Sequence, residues 1–414
     1  MPQPDRRDLS IGQRIAAHRR RLGLTQDGLA MRLHRSKSWV TKIERGERPL
    51  DSVRTLLEVA RALGVEVREL TGQPWFPEPG GPGHEALPAI RRALLALSPP
   101  PMGADSDDGE PIDAGDLPAV ERDVLAAGWL WQREPNCFSV VVPLLPGLII
   151  KTRLLVEVTA GEEHRRACRA QALLGHLGQE VLARLGEPDL SWVAANQSAD
   201  AAEQVGDPAL SGASAWRVCH AVLRVDDVDE VYTVATGAAR ELEPALDEPS
   251  GELLSVYGGL HLVGAIASAR AGDRPAAQHL LDRARTTAAR LGADRNDYWM
   301  TFGPTNVAMH DVAVLIESGD PKGAIRHGAT VDPSGLASLE RQSTHHVQLA
   351  HAYTLQRKDS EAVRELLVAE RLNPEGVRYN MLAHDFVRGM LRRERRRVTP
   401  GLRGLARRLN LLDW

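Results

Sequence analysis

Residues 24–46, LTQDGLAMRLHRSKSWVTKIERG, pair two short helical patterns around a tight turn and place cationic and polar side chains on the second. Thr25 is a good N-cap, and Leu24, Leu29, Ala30 and Leu33 recur at helical spacing, which predicts a helix over about 26–33. Ser36 caps a second helix over 37–45, with Val40 and Ile43 turned inward and Gly46 supplying the stop. Helices this short do not hold alone. Residues 11–22 in front and 53–63 behind must close a core over them, giving a unit of four or five helices.

This segment resembles the Cro/C1-type helix-turn-helix family, also called the XRE family, over about residues 9–72. The run Thr25, Gln26, Leu29, Ala30, Ser36, Ile43, Glu44 and Gly46 carries the likeness. The resemblance implies that the start of the second helix enters the major groove of double-stranded DNA. By position, Lys37, Ser38 and Lys42 would then meet base edges, while Gln26, Ser36 and Arg45 would hold phosphates. Two positions depart from the family pattern. His34 and Arg35 stand where a glycine and an aliphatic residue are usual, and Trp39 replaces a small polar residue. Trp39 is a candidate DNA contact that either stacks on a sugar or thymine methyl or packs on its own domain. A helical hairpin used only for dimerisation would read the same way.

Charge agrees with DNA binding. Residues 1–72 hold 15 Lys+Arg against 9 Asp+Glu, a balance of +6, so the whole-chain value of −4 leaves −10 for the rest. A basic module on an acidic body meets phosphate at one end only.

At 414 residues the chain has room for more than one domain. We divide it into a DNA-binding domain over 1–72, a linker over 73–116 and a helical repeat domain over 117–414. The linker opens with the prolines and glycines of QPWFPEPGGPG, and a short helix is expected near 84–97, with Leu87, Ile90, Leu94 and Leu97 on one side. It closes with the acidic, apolar-poor stretch 99–116, expected to be mobile. Beyond it, breaks such as Gly206-Asp207-Pro208, Gly272-Asp273 and Gly319-Asp320-Pro321 separate helix-length intervals, which predicts a solenoid.

In residues 347–374, Leu349, Ala350, Tyr353, Ala362, Leu366, Ala369 and Pro374 stand at the spacing of the tetratricopeptide pattern, with Arg357 where a turn glycine is usual. Ala277 and Ala324 follow two other Gly-Asp turns in weaker copies. The expected architecture is therefore all-α: a five-helix Cro/C1-type head, a linker and a tetratricopeptide-like α-solenoid. Head and body together resemble actinobacterial regulators of this domain order, which implies a one-component transcription factor.

Stacked hairpins curve, and their inner helices line a concave face. On that face we expect Trp216, His220, Tyr257, His261, Asn306, His310 and Tyr353 as ligand contacts, with Arg217, Arg341, His345 and Gln348 nearby. Each of these could equally be an interhelical hydrogen-bond partner. The segment TFGPTNVAMH, 301–310, turns at Gly303-Pro304 and sets Asn306 and His310 one helical turn apart. The arginine-rich end, 388–408, reads as a polar cap on the last repeat or as a second nucleic-acid contact.

No catalytic constellation, P-loop or metal-ligand spacing is present, so neither an enzyme nor a cofactor is expected, and His345, His346 and His351 lack acidic or thiol partners at a ligand interval. Cys137, Cys168 and Cys219 are far apart, which fits a reducing cytoplasmic compartment. No membrane association is expected, and the apolar stretch 138–150 reads as a buried core helix. Two functions remain. One is a homodimeric regulator whose groove takes a peptide or a small molecule. The other is a DNA-anchored scaffold whose repeats bind another protein.

Overall fold

The computed structural model describes residues 11–33, 35–47, 53–63, 65, 70, 85–96, 112–224, 227–394 and 399–412. The architecture is all-α, and among the described residues the only β pairing is an isolated bridge between Arg295 and Phe302.

The head contains α1 (Ile11–Arg21), α2 (Gln26–Arg32), α3 (Lys37–Glu44) and α4 (Val53–Leu63). Both predicted N-caps form: the Thr25 hydroxyl accepts from the Gly28 N–H at 3.0 Å, and the Ser36 hydroxyl from the Trp39 N–H at 3.1 Å. Each satisfies an amide that the first turn leaves without an intrahelical partner. Gly46, past the end of α3, takes φ 71°, the left-handed stop read from the sequence. Ile15, Leu29, Val40, Ile43, Val59, Leu63 and Leu70 close the core. Helices α1 and α3 cross closely at Gly12, where a Cβ would sit 2.1 Å from the Ile43 carbonyl oxygen. His34 of the turn lies outside the described residues, as does most of the stretch that would hold a fifth helix.

The helix expected inside the linker is α5 (Leu87–Leu95), and it is part of the body. Ile90 and Leu94 are buried in one core with Leu117, Val124, Phe138 and Leu145. Body side chains also cap its C-terminal carbonyls, with Arg153 donating to Ala93 and Ala96 at 2.9 and 2.8 Å and Gln197 to Leu94 at 3.0 Å. The acidic stretch expected to be mobile falls mostly outside the described residues. Next come α6 (Leu117–Arg133), α7 (Cys137–Val141) and α8 (Leu145–Val158). The single core helix expected over 138–150 is instead segmented, with a 3-10 turn at Val142–Leu144 between α7 and α8. Pro143 and Pro146 each stand in a first turn, where the missing N–H has no intrahelical role. Val140 and Leu144 are exposed, so only one side of the stretch is core.

From there the chain runs as hairpins: α9 (Gly161–Arg184) with α10 (Pro188–Val205), α11 (Pro208–Arg224) with α12 (Val228–Leu242), α13 (Gly251–Ala271) with α14 (Arg274–Leu291), α15 (Pro304–Glu317) with α16 (Pro321–Gly328), and α17 (Leu339–Leu355) with α18 (Asp359–Leu372). The short α19 (Pro374–Arg378), then α20 (Met381–Arg393) and α21 (Leu402–Arg408), complete the stack. Helices α9, α11, α13, α15, α17 and α20 each touch the next in that series, forming the inner layer of a solenoid. The turn glycines 206, 272 and 319 all take positive φ, and Arg357 holds the same left-handed place at φ 56°. Ala277, Ala324 and Ala362 are fully buried where paired helices meet.

Cys137–Val158 and Gly251–Ala271 are long and apolar enough to cross a membrane by length and composition alone, and the second lies 89% buried among other helices. Some of the C-terminal arginines are held by acids of the body. Arg393 pairs with Asp359 and Arg408 with Glu370, both at 2.6 Å, while Leu402, Leu405 and Leu409 are buried.

One loop breaks the regularity. Between α14 and α15, Tyr298, Trp299 and Thr301 take φ 49°, 58° and 50°, uncommon for residues with side chains and individually strained. Their burial holds them there: Trp299 and Phe302 press onto Gly128 of α6 and Gly258 of α13, where any Cβ would come within about 2 Å of a ring.

Candidate functional site

The exposed side of α3 carries Lys37, Ser38 and Lys42, with Arg45 just beyond its end. Lys37 is held by Asp27 at 2.8 Å in a solvent-exposed pair, and Arg45 stands 3.8 Å from Glu47. Exposed pairs of this kind cost little to exchange for a phosphate or a base. Gln26 and Ser36 are less available than position implied. The Ser36 hydroxyl is engaged as the cap, and the Gln26 amide donates to Glu44 at 2.8 Å and accepts from Thr41 at 3.1 Å. Trp39 needs correction as a DNA contact. Its ring is 8% exposed and belongs to the head's core, and its indole Nε1 is buried without a partner.

A buried ion pair positions α3. Glu44 accepts from Arg19 of α1, at 2.5 Å from Nε and 2.9 Å from Nη2, and from Gln26 of α2. Arg19 also donates to the Leu24 carbonyl at 2.7 Å. One carboxylate thus joins three helices.

The body contains a cavity of 1430 Å³ whose wall comes from α9, α11, α15, α17 and α20, and from the head at residues 11–13 and 43–47. Of the seven residues expected to contact a ligand, Trp216, His220, Asn306 and His310 line it together. Arg217, Arg341 and Gln348 line it too. Tyr257, His261 and Tyr353 do not. Helix α13 is buried on nearly every side, so its sequence has no polar stripe to show which face looks inward. Tyr257 instead sits in a separate hollow beside Arg283, and its ring covers the buried His261, centroids 4.5 Å apart. Burial, then the Arg283 charge, lowers the His261 pKa to about 4. Tyr353 packs against two apolar clusters, one of α15–α17 and one of α17, α18 and the C-terminal helices.

Sequence reading missed the floor of the cavity. Glu180 and Arg184 of α9 face Arg217 of α11 and Glu340 of α17, with Arg217 pairing to Glu180 at 2.8 Å and Arg184 to Glu340. Burial pushes the Glu340 carboxyl upward, and the Arg184 guanidinium with the Thr344 hydroxyl more than reverse this, holding it below the ordinary value. Beside this network Arg341 donates from Nε to the Asn306 amide oxygen at 2.6 Å and lies 3.1 Å from His310 Nδ1. The Asn306 amide nitrogen donates to the Thr301 carbonyl, which fixes it against the strained loop. Burial, then Arg341, lowers the His310 pKa to about 3, and His220 is likewise held well below the usual value by burial and Arg217. Both rings are therefore neutral at pH 7.

Among the described residues no group of His, Cys, Asp and Glu side chains is arranged to hold a metal ion. The three cysteines are buried and unpaired, and burial pushes the Cys137 and Cys219 thiols up to about 12.

Residues 10–71 match the family described as "Helix-turn-helix domain". The chain is 42% identical over 65 residues to the immunity repressor protein of Bacillus phage phi105, covering 16% of this chain and 44% of the repressor. It thus spans less than half the length of that curated relative. Among solved structures, PlcR of Bacillus thuringiensis, crystallised in complex with the peptide PapR7 and DNA, is 13% identical. The likeness covers 68% of this chain and 95% of that one, with a TM-score of 0.29, too low to bear on fold or function. Family match and local geometry meet on one conclusion: residues 10–71 are a helix-turn-helix domain.

Proposed function

We propose that this chain is a DNA-binding transcriptional regulator in which α3 reads the major groove and the body's cavity receives the signal that governs binding. The observation that carries this reading is the make-up of the cavity wall. Ile43, Glu44, Arg45 and Gly46, the end of α3 and its stop, line the same space as Trp216, Asn306 and Arg341. A molecule lodged there touches the reading helix itself. It shifts the protein between DNA-competent and DNA-incompetent arrangements by as much as its affinities for the two differ. The lining of aromatic, amide and charged side chains favours a peptide or small-molecule signal over the scaffold reading, which calls for a broad, open face.

One helix-turn-helix unit makes few base contacts, so we take the DNA-bound form to be a homodimer on a two-fold site. Sedimentation of the full chain at micromolar concentration tests this. A monomer that binds operator one head at a time contradicts it.

Lys37→Ala and Lys42→Ala are expected to weaken binding to a selected duplex by about 1–3 kcal/mol each and to relax preference at one position. The effect for Lys37 should lie at the low end, since the residue must leave Asp27. Competition titrations against random duplex check this. Equal losses on selected and random DNA would make both residues phosphate contacts.

A further inference from the structure

The cavity floor is not charge-balanced. Arg184 and Arg217 have Glu340 and Glu180 as ion-pair partners, while Arg341 has two neutral ones, Asn306 and His310. Glu340 acts on Arg341 only through space, and the guanidinium remains desolvated. The contact with His310 is also conditional. Its Nδ1 lies 2.8 Å from the Asn306 backbone carbonyl, and one ring nitrogen cannot both donate to that oxygen and accept from Arg341. A guanidinium has five N–H donors, of which the Asn306 side chain takes one securely.

Nine arginines and five carboxylates line the cavity, and Arg270 and Arg393 pair with acids behind the wall, Glu317 and Asp359. The cavity lining also holds buried polar atoms with no protein partner: Gln179 Oε1, Arg184 Nε, Arg217 Nε and Gln348 Oε1. Gln179 is 2% exposed. Buried polar atoms are nearly always satisfied, so a cluster of exceptions in one cavity points to a missing ligand.

We infer that Arg341, braced by Asn306, is the anchor for a carboxylate-bearing ligand whose body lies along Trp216, Trp299 and the free amide oxygens of Gln179 and Gln348. This rests on reading the cavity as the signal site and names the chemistry of that signal. A carboxylate fits for three reasons. It is a monoanion, matching the single surplus charge of the floor. It is planar and accepts two parallel N–H bonds from one guanidinium. The free amide oxygens are acceptors and call for N–H groups elsewhere on the same ligand. A peptide C-terminus and a small organic acid share this headgroup.

The test titrates the full chain with two acids, phenylacetate and an N-acetylated Leu-Phe dipeptide, each beside its neutral primary amide. Quenching of tryptophan fluorescence and melting temperature report binding. Both acids are expected to bind at least tenfold more tightly than their amides, the dipeptide acid more tightly than phenylacetate if the natural ligand is a peptide. Arg341→Gln removes the acid preference, and Arg341→Lys, a point charge without the planar fork, retains part of it. Equal binding of acid and amide overturns the assignment. So does unchanged acid preference in Arg341→Gln, or no binding of either acid at 20 mM (~20 mM being a weak-fragment range). The acid-against-amide comparison uses the unaltered protein and stands even if Arg341→Gln misfolds. Arg341 is not one of the residues proposed to touch DNA, so failure here with duplex preference intact rejects the carboxylate alone. Loss of duplex preference with acid binding intact rejects the regulator reading instead.

Discussion

Glu44→Ala will unfold the head while the body stays folded. Glu44 and Arg19 have side chains only 6% and 10% exposed, and the carboxylate takes three hydrogen bonds from α1 and α2. Its removal leaves the Arg19 guanidinium held by the Leu24 carbonyl and the Gln26 amide without its carboxylate. Truncating one member of a buried pair costs about 3–5 kcal/mol, because the other charge stays desolvated. Small domains often have little more than that in total. Limited proteolysis of the full chain checks this: cleavage should become rapid within residues 11–63 while the body resists. A head that stays protected, with duplex affinity unchanged, would show that the three-helix junction is held by its apolar core alone.

Glu340→Ala is expected to be about as costly, roughly 3–5 kcal/mol, in the body's thermal or denaturant unfolding. Glu340 connects α17 to Arg184 on α9, 156 residues away in sequence, and its loss leaves Arg184 to share Glu180, 3.5 Å away, with Arg217. The pH dependence has a definite sign. The folded-state pKa of Glu340 is depressed, so the unfolded chain binds its proton more readily than the folded one. The pair's contribution is therefore complete above the unfolded carboxylate value, about 4.3, and fades as pH falls through the lower folded value. Unfolding measured from pH 7 downward should show the wild-type body losing stability in acid, with the Glu340→Ala difference shrinking over the same window. A difference that stays constant into strong acid would mean that the ion pair is not its source.

Local signals in the sequence were accurate where the structure is local. Thr25 and Ser36 cap the helices they appeared to cap, and Gly46, Gly206, Gly272 and Gly319 take the left-handed geometry that ends a helix. Arg357 was readable as an irregularity because it occupies a glycine's place, and it adopts a glycine's backbone. Trp216, His220, Asn306 and His310 stand out in the sequence as polar and aromatic residues on otherwise apolar helices, and they line one cavity. Three things were not legible. Glu180 and Arg184 look like ordinary surface charges of a long helix until α17 brings Glu340 against them. Helix α13 has no polar stripe to orient Tyr257 and His261. The loop before α15 places Tyr298 and Trp299 at positive φ, and its Trp299 and Phe302 rings lie on Gly128 and Gly258, contacts that join distant parts of the chain. Ser36 and Gln26 carry a further lesson. A residue type suited to phosphate contact is equally suited to holding its own helix ends together, and local partners are reached first.

Binding of the purified full chain to a duplex selected from a random pool, in competition with unselected duplex at about 0.15 M salt, decides whether α3 reads sequence. We predict a preference of at least ~10³-fold, with affinity falling by about 0.9 log unit per log unit of salt for each phosphate neutralised. Selection that enriches no sequence, with selected and random duplexes bound alike whether or not a carboxylate ligand is present, would contradict the assignment of α3 as a reader of DNA.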